Sequence, residues 1–163
     1  MKIVELLLKE IEQEAAITRK MLAIVPADKM DWRPHPKSMS IMQLTNHIAE
    51  LPGWVALAVL TDGLDFATQK YEPGTARTAE ELLALFENEY TSGRAELEKA
   101  TEELLAEKWV LRSGDHIILD QTKYDTVRVS IAQTIHHRAQ LGVFLRLLDI
   151  PIPGSYGPSA DEM

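Results

Sequence analysis

The stretch Ser40-Ile41-Met42-Gln43-Leu44-Thr45-Asn46-His47-Ile48-Ala49-Glu50-Leu51-Pro52-Gly53 decides how this chain is read. Ser40 and Gln43 have the spacing of a capping box, in which the hydroxyl accepts from the third helical N–H and the glutamine reaches back to the cap N–H. A helix therefore begins at Ser40. Leu44, His47, Ile48 and Leu51 follow at three- and four-residue steps, the period of one helical face. Pro52-Gly53 bends the helix, because proline removes a backbone donor, before it continues through Val55 and Ala58 towards Thr61-Asp62-Gly63.

The same period recurs on either side. Val4, Leu7, Leu8, Ile11, Ala15 and Leu22 mark a first helix from Val4 to Ile24, closed by a loop carrying Pro26, Pro34 and Pro36. Thr78-Ala79-Glu80-Glu81 is a second capping box, and Leu82, Leu83, Leu85, Phe86, Tyr90 and Leu97 carry a third helix to about Ala100. Between Lys108 and Lys123 the pattern turns β-prone: Trp109-Val110-Leu111 and Ile117-Ile118-Leu119 flank Ser113-Gly114-Asp115 as a small hairpin. A fourth helix runs from about Thr126 to Leu148 through Val127, Ile131, His137, Leu141, Phe144 and Leu145, and Pro151 and Pro153 stop it. Four helices of matched length, about 30 Å each, pack side by side. The expected fold is all-α, a four-helix bundle with a small hairpin inserted between helices three and four. It is read as a single domain over 1–163 whose last residues, 150–163, form a Pro/Gly-rich tail.

Composition narrows the function. With 25 acidic against 17 basic residues the net charge is −8, and the basic residues are scattered, so no phosphate-neutralising patch for a nucleic acid is expected. No apolar run is long enough to span a bilayer, and the charged opening Met1-Lys2-Ile3-Val4-Glu5 does not resemble a signal peptide, so a cytoplasmic protein is expected. The chain has no cysteine. Disulfides, thiolate sites and cysteine nucleophiles are excluded, and any metal must be held by nitrogen and oxygen. There is no G-x-S-x-G elbow, phosphate-binding glycine loop or H-E-x-x-H helix.

What remains is histidine. At about 100° per residue, Ser130, Gln133, Leu141, Phe144 and Leu148 fall within about 40° of His137, which turns that ring towards the core. Ser40, Gln43, Leu51, Trp54 and Ala58 do the same for His47, within about 40° on its own helix. Two inward imidazoles on two helices can converge. Gln133, one turn before His137, adds an amide oxygen, and the three make a metal site with positions left open for water or substrate. A buried histidine that only satisfies a core hydrogen bond is the plainer alternative. His136 points about 100° away from His137 and is read first as a surface or groove residue, with use as a proton carrier or substitute ligand the alternative, and Glu50 is a further accessory candidate. His35 and His116 lie in turns, where surface histidines are usual. Trp32, Trp54 and Trp109 are read as packing, and Ile135, on the outward side of the last helix, as a contact surface.

Four segments, in order, resemble one family: Asp31-Trp32-Arg33-Pro34-His35-Pro36-Lys37-Ser38-Met39-Ser40, Asn46-His47-Ile48-Ala49-Glu50-Leu51-Pro52, His136-His137-Arg138-Ala139-Gln140-Leu141 and the tail Pro151-Ile152-Pro153-Gly154-Ser155-Tyr156-Gly157-Pro158-Ser159-Ala160-Asp161. Together they look like the DinB-like family, which shares a label with a DNA-damage-inducible polymerase but neither its sequence nor its activity. The resemblance implies a four-helix bundle, often homodimeric, holding a divalent metal, commonly nickel or zinc, on three histidines. In the wider superfamily it implies enzymes dependent on bacillithiol or mycothiol, in which the metal activates a low-molecular-weight thiol. Position by position, two of the three histidines fall on His47 and His137. The third falls on Gln133, so the sequence departs from the pattern at a ligand. Gln133 then coordinates through oxygen, holds a metal-bound water, or bonds an imidazole in a metal-free site.

Two functions follow. One is a metal-dependent enzyme, a thiol S-transferase or hydrolase acting on a small molecule. The other is a catalytically silent stress-response or binding protein whose metal site is weakened or absent.

Overall fold

A computed structural model describes residues 2–163. Helix α1 spans Ile3–Leu22 and turns Leu7, Ile11, Ala15, Met21 and Leu22 inward, after which a short 3-10 turn, Ala27–Lys29, leads into the proline loop. Helix α2, Ile41–Glu50, starts where the capping box puts it: Gln43 N–H donates to Ser40 Oγ at 3.2 Å and Ser40 N–H donates to Gln43 Oε1 at 2.9 Å. Pro52 does more than bend this helix. The helix stops, and α3 restarts over Gly53–Leu60. The Leu51 carbonyl at the break accepts from Trp54 N–H at 3.1 Å and from Ser130 Oγ at 2.7 Å, so the interruption leaves it doubly bonded. Opposite it, Gly93 lets the next helix come close, since a Cβ there would stand 2.4 Å from the Pro52 carbonyl oxygen.

Helix α4, Ala79–Lys99, opens on the second box, in which Glu81 N–H donates to Thr78 Oγ1 at 3.2 Å and Thr78 N–H returns the bond to Glu81. A single turn, α5, Glu102–Leu105, precedes strands β2, Lys108–Ser113, and β3, His116–Thr122. These two pair antiparallel, as the hairpin reading expects. The chain is nevertheless not all-α with a lone hairpin. Gly63–Asp65 forms a strand, β1, that pairs parallel to β2 with Gly63 opposite Val110, so the sheet has three strands in the order β1-β2-β3. The extra strand gives the hairpin the partner that two strands alone lack. Trp109, fully buried, seats the sheet by donating from Nε1 to Thr61 Oγ1 at 3.1 Å.

Helix α6, Lys123–Leu147, starts a turn earlier than its apolar pattern because Thr122 caps it, accepting from Asp125 N–H at 3.1 Å. The core divides in two. One cluster gathers Leu22, Met30, Ile41, Leu44, Ile48, Leu82, Phe86, Leu141 and Leu145; the other gathers Leu7, Ile11, Val55, Ala58, Leu97, Leu105, Val127 and Ile131. Ile135, read as outward, is half-buried and packs against the second cluster.

A polar seam includes Glu14, Thr18, Ser130 and Thr134, which line a cavity of about 30 Å³ together with Ile11 and Phe86 from the two clusters. Arg138, 2% exposed, donates to Glu14 Oε2 at 2.6 Å, Thr18 Oγ1 at 3.0 Å and the Tyr156 hydroxyl at 2.9 Å. The C-terminal tail is thereby tied to the core. Asp161 adds a fork, accepting from both Arg146 Nη atoms at 3.0 and 2.6 Å, and this guanidinium holds its carboxyl at about 2. Among the described residues no helix is long and apolar enough to cross a membrane.

Candidate functional site

His47 on α2 and His137 on α6 meet edge to face, their ring centroids 4.6 Å apart and their planes at 81°. His136 stands edge-on to His137 at 4.9 Å. Both His47 and His137 are half-buried, and His136 and Gln133 are exposed. The two rings that the periodic reading turns inward do meet, but at half-buried positions rather than in the core. The stripe that α6 buries is centred on Val127, Ile131, Thr134, Arg138, Leu141 and Leu145. A charged residue such as Arg138 counts as outward in an apolar pattern, yet it occupies the middle of that stripe, and His137, one residue or about 100° away, falls at its edge.

Edge placement suits chemistry better than burial would. Burial still pushes the His47 imidazole below its ordinary value, His137 pushes the same way, and Glu50 opposes. Burial likewise lowers His137, against the pull of Gln140 and with a smaller contribution from His136. Both rings are thus biased to the neutral form, which carries a lone pair. His137 Nδ1 lies 3.0 Å from Gln140 Oε1. An amide oxygen only accepts, so the proton belongs on Nδ1 and the lone pair on Nε2.

Two imidazoles bound cis to one ion, with metal–nitrogen bonds of about 2.0–2.1 Å, set their ring centroids roughly 4.5–5.2 Å apart. The observed 4.6 Å fits that range. The donor set is incomplete beyond the pair: among the described residues, no group of three or more His, Cys, Asp and Glu side chains forms a metal cluster.

His47 also forms part of the wall of a cavity of about 310 Å³ with Met39, Gln43, Trp54, Phe66, Tyr71 and Pro73. Trp54 is therefore a wall of the site as well as a packing residue. Periodicity gives no notice of Phe66 and Tyr71, which come from the irregular segment between β1 and α4. That segment is held down by α2. Asn46 accepts from Ala76 N–H at 3.0 Å and donates to the Ala76 carbonyl at 2.8 Å, and Glu50 accepts from the Tyr71 hydroxyl at 2.5 Å and Gly74 N–H at 2.6 Å. Glu50, an accessory candidate by sequence, is committed to this loop. Gly74 is the residue that permits it, because a Cβ there would stand 2.4 Å from Asn46 Oδ1 and 2.7 Å from Glu50 Oε1. His35 accepts from Lys37 N–H in its own turn at 3.1 Å, a local role.

A family model described as the DinB family matches residues 1–163. The chain belongs to the DinB family. Solved structures share its fold. A DinB-like protein from Bacillus cereus is 19% identical with a TM-score of 0.73, the match covering 95% of this chain and 98% of that one. YfiT from Bacillus subtilis, described as a probable metal-dependent hydrolase with an unusual four-helix bundle topology, is 14% identical at a TM-score of 0.67 and covers 91% and 89%. A mycothiol-dependent maleylpyruvate isomerase is 12% identical at 0.60, over 85% of this chain and 60% of its own. No curated protein matches the sequence. At these identities the likeness establishes the DinB fold of this chain, mostly helical with a small sheet.

Proposed function

We propose that this DinB-family chain is a metal-dependent enzyme acting on a small molecule, with His47 and His137 holding a divalent ion, nickel or zinc, and Gln133 as the third donor. The observation that carries the reading is the meeting of two neutral-biased imidazoles from α2 and α6 beside an aromatic-walled cavity. The description of YfiT as a metal-dependent hydrolase and the mycothiol dependence of the isomerase relative support the same class. When bound, such an ion supplies a nucleophile near neutral pH by acidifying a water or a thiol.

The chain's own residues do the rest. Gln140 keeps the His137 proton on Nδ1 and so frees Nε2. Trp54, Phe66 and Tyr71 give one side of the site an aromatic wall, and Asn46 and Glu50 hold the segment that carries Tyr71. The reaction proposed is addition or transfer of a low-molecular-weight thiol, or hydrolysis, at the open positions. In this reading His136, exposed next to His137, carries a proton between the site and solvent. The second reading, a metal-free binding protein, is favoured by one observation: the third donor is an exposed glutamine where an imidazole would bind more strongly.

Chelation followed by refilling with nickel or zinc tests the choice. About one equivalent retained per chain, with a raised Tm that is lost in His47→Ala and His137→Ala, is the expected result. Trace retention of both metals sinks the enzyme reading and leaves the binding protein.

A further inference from the structure

The cavity beside His47 has no charged wall. Met39, Gln43, Trp54, Phe66, Tyr71 and Pro73 complete its lining, three of them aromatic and none a lysine, arginine, aspartate or glutamate. Glu50, one turn along α2 from His47, spends its carboxylate on the Tyr71 hydroxyl and Gly74 N–H, at 2.5 and 2.6 Å. Gln43 is also half committed. Its Oε1 accepts from Ser40 N–H at 2.9 Å, and only oxygen can do that, so the portion of the amide left to meet a ligand is its NH2, a donor.

These facts select a ligand. In the metal-free protein an anion entering this pocket meets no facing cation, so it sheds hydration and gains no counter-charge, whereas a flat apolar ring loses little and gains stacking area on three aromatic side chains. A volume of about 310 Å³ corresponds to about ten water molecules' share of the liquid, enough for a fused two-ring body. We infer that the compound this cavity takes is an uncharged aromatic bearing a carbonyl-type acceptor, its ring against Trp54, Phe66 and Tyr71 and its oxygen towards the Gln43 NH2. The inference concerns the metal-free cavity and stands apart from the proposed ion, which would itself put a cation beside His47, so its test uses chelated protein.

The matched probes are 2-acetylnaphthalene, neutral with a ketone oxygen, and 2-naphthoate, the same ring with a carboxylate. Both are titrated into chelated, metal-free protein while the indole N–H resonance of Trp54, assigned with Trp54→Phe, is followed by NMR. The expected result is a saturable shift with the ketone at a Kd of about 0.1 mM, a reasonable affinity for a fragment of this size, and at least about fivefold weaker binding of the naphthoate. Phe66→Ala, at an exposed position that folding tolerates, weakens the ketone about fivefold, and Met39→Lys shifts the preference towards the naphthoate by placing a cation on the wall. No saturable shift below about 1 mM, or a ketone preference under about fivefold, overturns the inference. Measuring metal uptake by the same preparation separates the two readings. Ketone binding that persists while metal uptake fails removes only the metal, and metal uptake without ketone binding removes only this ligand class.

Discussion

Replacing Arg138 with methionine takes the cation out of a network that Glu14 cannot leave. Arg138 is 2% exposed and Glu14 8%. The guanidinium donates to Glu14 Oε2 at 2.6 Å, to the Glu14 carbonyl at 3.1 Å, to Thr18 Oγ1 at 3.0 Å and to the Tyr156 hydroxyl at 2.9 Å. Removing one partner of a buried ion pair costs about 3–5 kcal/mol, because the other charge stays buried and uncompensated. Here the Tyr156 hydroxyl still donates to Glu14 at 2.9 Å, and Thr18 still bonds the Glu14 carbonyl at 2.8 Å, so the lower end applies, about 3 kcal/mol. For a chain of this length that lowers Tm by about 6–12 °C. Exchanging both partners, in Glu14→Leu/Arg138→Met, replaces the pair by apolar volume and is expected to fall within about 1 kcal/mol of the starting protein. Glu14→Leu alone strands the buried guanidinium and costs about 3 kcal/mol by the same argument, so urea unfolding of the two single variants and the double closes a cycle with a coupling of about 5 kcal/mol. A single-variant loss under about 1 kcal/mol, or a double variant less stable than the sum of the singles, would refute the argument that an ion pair holds this seam.

Gln133→His restores a third imidazole on the exposed side of His137 and should raise zinc or nickel affinity at least about tenfold in competition with a chromogenic chelator; an unchanged affinity would mean that Gln133 is not at a donor position. Gly74→Ala puts a Cβ into the oxygens of Asn46 and Glu50, so limited proteolysis should cut the segment between Phe66 and Arg77 faster, with stability lower by about 1–2 kcal/mol. Equal cleavage rates in the two proteins would show that the clamp is not tight. In metal-free protein His47 and His137 both hold their protons less well than the ordinary value of 6.5, so the unfolded chain binds more protons as pH falls. Their contribution is complete above about pH 6.5 and fades as pH drops through the lowered values, and the urea midpoint between pH 7.5 and 5.5 should fall less steeply in a His47→Gln/His137→Gln variant. A slope unchanged by that double substitution would count against the imidazoles as its source.

The features legible in the sequence are those that neighbours within a few residues impose. Ser40 with Gln43 and Thr78 with Glu81 start α2 and α4, and Pro52 ends the run that carries His47, because a cap or a missing donor acts within one turn. The pairing of His47 with His137 was legible too, since both rings lie towards the apolar side of their helices. Other features needed the chain to close on itself. Gly63–Asp65 is a strand only because β2, more than forty residues later, offers it an edge. The rotation of α6 depends on Glu14 and Thr18 taking Arg138 inward, which moves His137 from the core to the edge of the buried stripe, against the His47 ring that lines the aromatic cavity. Phe66 and Tyr71 reach that cavity from a segment with no period to read, held by Asn46 and Glu50. Residue order set the helices and the candidate histidines. Long-range hydrogen bonds and buried charge pairs, whose partners no local pattern names, decided what those histidines face.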